Sequence, residues 1–459
     1  MKTVRIAAIV LISILTLFLA SLLWSGLSGG GWPFRVSVET RTDCSLVQEK
    51  EFSAEEISSL RVLYYDFMEI YFYENDEETV LVREYLNFTP KENQLSEIKL
   101  DRSTLSVKGK KRRFSLSFSL RPSPYGYAEI YLPSGLYENL EAQTVSGDIL
   151  SELPFTLSGR FSVSTTSGSV TFPDVEASAF SASTTSGDLS FSKAAAKEIS
   201  ASTTSGKISL SVAQADDISV STTSGDITLS EAQGGKVSVS TTSGEVQLDA
   251  VSGKSFRLSA ISGDAVLGQL SCDAELSATS GSVRIEKAEG GLDVETVSGS
   301  ILIENAENGL DAETTSGSIL VENVKNKADA ETTSGDIRLK TIQGAFNLST
   351  TSGNITVESG SGFGKADTIS GEIRLFLDQG LLGDLSLSGT SGDMTLSLPE
   401  TAAFRLDFES ASGSCNTFFD DQLSFNKRGT HVSGQYGDNP ENELSVSTTS
   451  GSLRITKVP

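Results

Sequence analysis

Residues 221–229 read STTSGDITL, and close copies of this phrase recur along most of the 459-residue chain. Aligned on the glycine of each Ser-Gly pair, the copies fall at Gly147, Gly168, Gly187, Gly206, Gly225, Gly244, Gly263, Gly281, Gly299, Gly317, Gly335, Gly353, Gly371, Gly392, Gly413 and Gly451. The spacing settles at 19 residues and then at 18, while the last interval, Gly413 to Gly451, spans two repeats. A period this regular predicts one small unit stacked many times, with a looped-out unit around 415–443.

The columns of the alignment give the unit its shape. Two residues after the glycine every copy is apolar, as at Ile149, Val170, Leu189, Ile227, Ile319, Met394, Cys415 and Leu453. Four after, Phe172, Phe191, Leu210 and Leu229 continue the pattern, and seven and five before stand pairs such as Ile218 with Val220 and Val237 with Val239. Each pair is two residues apart, the signature of a strand with one buried face. The inward phase is odd before the glycine and even after it, so the chain turns a corner at Ser-Gly. Glycine suits a corner that needs φ > 0, and the serine can bond the turn's backbone. A further small or apolar residue seven after the glycine, as at Val175, Ala194, Ala213, Ala232 and Val324, marks a third inward side.

Three short sides closing in 18–19 residues describe one rung of an all-β parallel β-helix, or solenoid. About sixteen rungs at ~4.8 Å would make a stack of about 75 Å. The Thr three before each glycine points inward by parity and is expected to form a ladder. The Ser four before and the Thr two before face outward in rows. The repeat domain is placed at 136–459.

The flanks differ. Residues 1–5 carry Lys2 and Arg5, and 6–24 are an uncharged run long enough, at about 28 Å as a helix, to span a bilayer core. The basic residues ahead of it place 1–5 in the cytoplasm and the rest outside, after a glycine-rich linker at 25–35. A cleaved signal peptide is the competing reading of the same run. Segments of 36–135 such as LRVLYYDFMEIYFY, TVLVREYLNF and RFSLSFSL read as antiparallel strands that cap the first rung. At the other end Lys457 and Pro459 read as a stop to further pairing.

Four stretches, FSAEEISSLRV at 52–62, EIYLPSGLYENLEAQTVSGDI at 129–149, the reiterated TTSG, and ELSVSTTSGSLRI at 443–455, are similar to the bacterial DUF "putative adhesin" β-strand-repeat family. The resemblance covers nearly everything after the anchor. It implies a right-handed solenoid outside the membrane of a single-pass envelope protein, adhesive or stress-related, with no catalytic residues to carry over.

Composition narrows the partners. A formal charge of −24 argues against nucleic acid or an anionic lipid surface as the main partner. Cys44, Cys272 and Cys415 are odd in number and lack metal spacing. The sole histidine, His431, reads as a loop residue, and no Gly-x-Ser-x-Gly accompanies the many serines. Catalytic β-helices need side loops that build a cleft, which these short rungs lack, so the chain reads as non-enzymatic. The aspartates of SGD, such as Asp148, Asp188, Asp226 and Asp264, read as caps on turn amides. One departure stands out: Asp293 with Glu295, Asp311 with Glu313, and Asp329 with Glu331 turn an outward face acidic in three successive rungs. Such a grid is either a solvated charged face or a Ca²⁺ site built from oxygen ligands; no other cofactor is expected. The functions left open are a membrane-anchored surface rod with a protein or glycan partner, a signalling partner of another membrane protein, and a glycan- or ice-binding hydroxyl face.

Overall fold

The computed structural model describes residues 43–110, 125–361, 363–425 and 429–458. The apolar run at 6–24, its flanks at 1–5 and 25–35, and the strand expected at 113–120 lie outside them. Among the described residues no helix is long and apolar enough to cross a membrane. The chain divides into units Met1–Cys44 and Ser45–Pro459, and the fold is that of the second.

Each rung lies on its own copy. Ile208–Thr222 pairs in parallel with Ile227–Ser243, placing Ile208 on Ile227, Leu210 on Leu229, Ala213 on Ala232 and Val220 on Val239. All of these inward residues are buried, as are the small residues of the third side. The result is a parallel β-solenoid of about 14 turns, fewer than the sixteen marked corners. The corner at Gly413 belongs to an unfinished turn: after Cys415–Thr417 the chain leaves for a cap.

The change from 19 to 18 residues has a place. Between Val246–Ser262 and Ala265–Ala278 the pairing slips once, with Ser252 opposite Ser271 but Ser255 opposite Asp273. Two residues, Gly253 and Lys254, are thus matched by Cys272 alone, so the third corner loses one residue. In the column seven before the glycine, Phe161 and Phe180 near the start give way to Leu292, Leu310 and Ala328 in the 18-residue rungs, before Phe346 restores a ring. Phe161 and Phe180 stack at 4.9 Å between ring centroids.

The corner itself works differently from the expectation. Of the repeat glycines only Gly392 has φ in the left-handed region, at 127°. The others are required by stacking: a Cβ on Gly225 would lie 1.8 Å from the carbonyl oxygen of Gly206, and one on Gly187 1.7 Å from that of Gly168. Nor does the serine side chain hold most corners. Its backbone N–H does, donating to the carbonyl two before the previous glycine, as from Ser224 to Thr204 at 2.8 Å.

Both ends are threaded out of sequence order. Ser59–Leu63 and Met68–Glu74 were expected as antiparallel cap strands, but they form a parallel rung. Ser59–Leu63 lies between Thr104–Lys108 and Asn139–Gln143. Met68–Glu74 lies between Gly126–Leu132 and Ile149–Ser151. This rung lacks Ser-Gly, so the period misses it; buried Tyr64 fills its corner instead, and Gly109 leaves it room. The antiparallel expectation holds for Ser45–Ser53 on Thr79–Leu86, Thr79–Leu86 on Gly126–Leu132, and Glu97–Asp101 on Thr104–Lys108.

At the other end the last strand is not terminal. Leu453–Lys457 lies between Met394–Leu398 and Cys415–Thr417, and Glu443–Thr448 between Leu385–Ser391 and Phe404–Ser410. Lys457 therefore stops nothing; its ammonium rests 5.3 Å from the Phe418 ring centre. The end is closed by His431–Tyr436, antiparallel to both Phe404–Ser410 and Leu423–Phe425. His431 is thus on a strand, exposed, with Nδ1 3.5 Å from Glu409.

Candidate functional site

The Thr column is buried and bonded, but not mainly to itself. Thr165 and Thr184 donate their hydroxyls to the carbonyls of Gly147 and Gly168, each at 3.0 Å. The bond lengthens to 3.2 Å at Thr203 and 3.5 Å at Thr222, and the Thr241 hydroxyl has no partner. The next two rungs carry Ala260 and Ala278 in this column, across the change of rung length. The ladder resumes with Thr296, which donates to Thr314 at 2.8 Å, and Thr314 donates to Gly299 at 3.1 Å. Threonine thus binds the glycine carbonyl that the next glycine stacks upon, which ties the two recurring features of the phrase into one joint.

The SGD aspartates do cap amides, one rung on. Asp188 accepts from Lys207 N–H at 2.8 Å, Asp226 from Glu245 at 3.0 Å and Asp264 from Ser282 at 2.8 Å. Aspartate alternates here with Lys207 and Glu245, so no aspartate stacks on another in these rungs.

Outside the corner lie two kinds of face. On five successive rungs Thr166, Thr185, Thr204, Thr223 and Thr242 are exposed, each beside an exposed serine. Further along, the register brings the six acidic residues together as expected. Asp293 faces Asp311 and Asp311 faces Asp329, with Glu295, Glu313 and Glu331 in the parallel row. Asp329 is half-buried and the other five are exposed. Partial shielding of their carboxyl groups from solvent, then the neighbouring carboxylates, raise the pKa values of Asp293, Asp311 and Glu313. The row is bounded by ion pairs, Arg257 with Glu275 at one end and Lys327 with Asp329 at the other. Among the described residues no three His, Cys, Asp or Glu side chains converge as a metal's coordination shell requires.

Sequence reasoning missed the hollow beside this row. A surface groove of about 640 Å³ is lined by Asp293 and Asp311 and by Gly291 and Gly309, which precede their strands. The two glycines open it, since a Cβ at Gly291 would meet only Asp273, at 3.5 Å. Their appearance in place of Lys236 and Ser255 in that column was the available signal.

These features define a repeat scaffold whose polar side chains are spread in rows over parallel strands. The profile of the Toastrack DUF4097 family matches residues 73–211, 193–343 and 308–456, and the chain belongs to that family. Two solved structures are similar at low identity. One is a "putative cell adhesion protein" from Clostridium sporogenes, 8% identical, covering 90% of this chain and 99% of its own, with a TM-score of 0.14. The other is a "putative adhesin" from Parabacteroides merdae, 11% identical, covering 72% of this chain and 95% of its own, with a TM-score of 0.23. A search of curated proteins returns no match.

Proposed function

We propose that the chain is a non-enzymatic surface solenoid, held to a bacterial cell membrane by residues 6–24 and presenting its repeat faces outside for adhesion or envelope structure. One observation carries the reading: the exposed side chains of the repeat form rows with a constant spacing from rung to rung. A row offers many equal, weak contacts, which suits a repeating partner and gains strength by multivalency. The test is protease added to intact cells, followed by adhesion assays on a deletion strain. Release of repeat fragments together with loss of adhesion supports the reading. A repeat protected in intact protoplasts overturns it.

A second reading rests on the exposed threonines of the rungs 166–242. Hydroxyls in two rows at strand spacing are suited to a glycan or an ordered water surface, and glycan-array and ice-shaping assays address it directly.

A further inference from the structure

The hairpin formed by Glu97–Asp101 and Thr104–Lys108 turns through two residues, because Asp101 pairs with Thr104. The first of them, Arg102, has φ 57°. Two-residue hairpin turns ordinarily give such a position to Gly, Asn or Asp, since a Cβ there crowds the backbone. The Arg102 side chain is exposed, so burial does not hold it in this conformation. Strain of this kind at an exposed side chain motivates a search for a function.

Arg102 is among the residues lining a cup of about 690 Å³ formed by these strands together with Arg61, Leu63 and Tyr65. Arg61, Lys99, Arg102 and Lys108 line it against two carboxylates, Glu97 and Asp101, leaving a local excess of positive charge in a chain of formal charge −24. Lys99 pairs with Glu97 at 3.1 Å and Arg61 with Glu141 at 2.9 Å, whereas Arg102 and Lys108 form no ion pair among the described residues. An adjoining hollow shares Arg61 and Thr104 and adds Arg160. At physiological salt the acidic repeat is screened beyond about 8 Å, so these near cations set the potential in the cup.

We propose that the cup binds the phosphate ester of a polyhydroxylated molecule. Arg102 and Lys108 supply charge-assisted hydrogen bonds to the phosphate oxygens, for which a guanidinium fork is well shaped. The hydroxyls of Ser103, Thr104 and Ser106 and the carboxylate of Asp101 line the same cup and suit ligand hydroxyls, which a bare anion lacks.

The test is calorimetric titration of the purified full chain in neutral detergent micelles. The probes are glycerol 3-phosphate, glycerophosphoglycerol and plain glycerol, at matched ionic strength. Saturable binding of a phosphate ester and none of glycerol is expected. Preference for the monoester identifies a free sugar or polyol phosphate, and preference for the diester a lipid headgroup or polymer unit. Arg102→Gly should weaken binding about tenfold while the melting temperature stays level or rises, because glycine accepts the turn. Lys108→Gln should weaken binding with no change in melting. The assignment is overturned if neither ester binds saturably, if Arg102→Gly binds as the wild type does, or if Arg102→Gly loses melting temperature along with affinity.

Discussion

Gly225 shows what a single position in the phrase must do. Its Cα packs on the Gly206 carbonyl, and an added Cβ would meet backbone rather than the yielding tip of a side chain. Gly225→Ala is expected to cost about 3 kcal/mol by forcing two rungs apart. Gly291→Ala, at an open corner, is expected to stay within about 0.5 kcal/mol; thermal unfolding of the two variants checks the contrast. The threonine column yields a second comparison. Thr184→Val keeps the shape and leaves the Gly168 carbonyl without its hydroxyl donor, for a loss of about 1 kcal/mol. Thr241→Val removes a buried hydroxyl that has no partner, so its stability should be unchanged or higher. Equal losses at Thr184 and Thr241 would show that the Thr-to-Gly bond contributes nothing.

At the scale of the element, register decides which substitutions matter. Ile227 and Ile319 are fully buried in equivalent strands, and Thr223, four residues before Ile227, is exposed. Ile227→Asp or Ile319→Asp should cost several kcal/mol by burying an unpaired charge. Thr223→Asp should stay within about 0.5 kcal/mol, and hydrogen exchange will show whether the damage stays local. The acidic rows add a pH dependence. Asp293, Asp311 and Glu313 have pKa values raised above their ordinary values of 3.8 and 4.5, through partial shielding from solvent first and like charge second. They hold protons more tightly folded than unfolded, so their contribution is fully present below those ordinary values. It is lost as pH rises through the folded ones. Melting curves across that window should fall more steeply with rising pH in the wild type than in the Asp293→Asn, Asp311→Asn, Glu313→Gln triple variant. Parallel slopes would remove the rows from the pH response.

For the whole molecule, the threading of the ends matters more than the number of rungs. Cutting the chain after Asp438 would remove Glu443–Thr448 and Leu453–Lys457, which are interior strands despite lying last in sequence. Met394–Leu398 and Cys415–Thr417 would then face a gap of one rung, each losing a ladder. The truncated chain should expose the segment 385–436 to protease and lower the melting temperature by several degrees. Were the last strand a terminal rung, its loss would leave 385–417 protected. Closing each end with an earlier or later part of the chain has a physical rationale. A strand flanked on both sides presents no open edge. At the first end the outermost strands are the charged antiparallel segments Ser45–Ser53 and Glu97–Asp101, and at the other they are the three-residue strands Cys415–Thr417 and Leu423–Phe425.

The rung, its inward columns, its corner and its third side were legible in the sequence because each is a local property repeated at a fixed period. Ile227, Leu229 and Ala232 had to face one way whatever lay above or below them. The acidic rows were legible for the same reason, since equal spacing puts Asp293 beside Asp311 in any stack. What required the tertiary structure involves the neighbouring rung. The glycine serves close stacking on a carbonyl rather than a left-handed turn, and the threonine reaches that same carbonyl. Neither contact is visible in a single copy. The order of rungs at the two ends was hidden for another reason. A parallel ladder accepts any strand with the right alternation, so 59–74 and 443–457 could be placed only by the long-range closure of the chain around them.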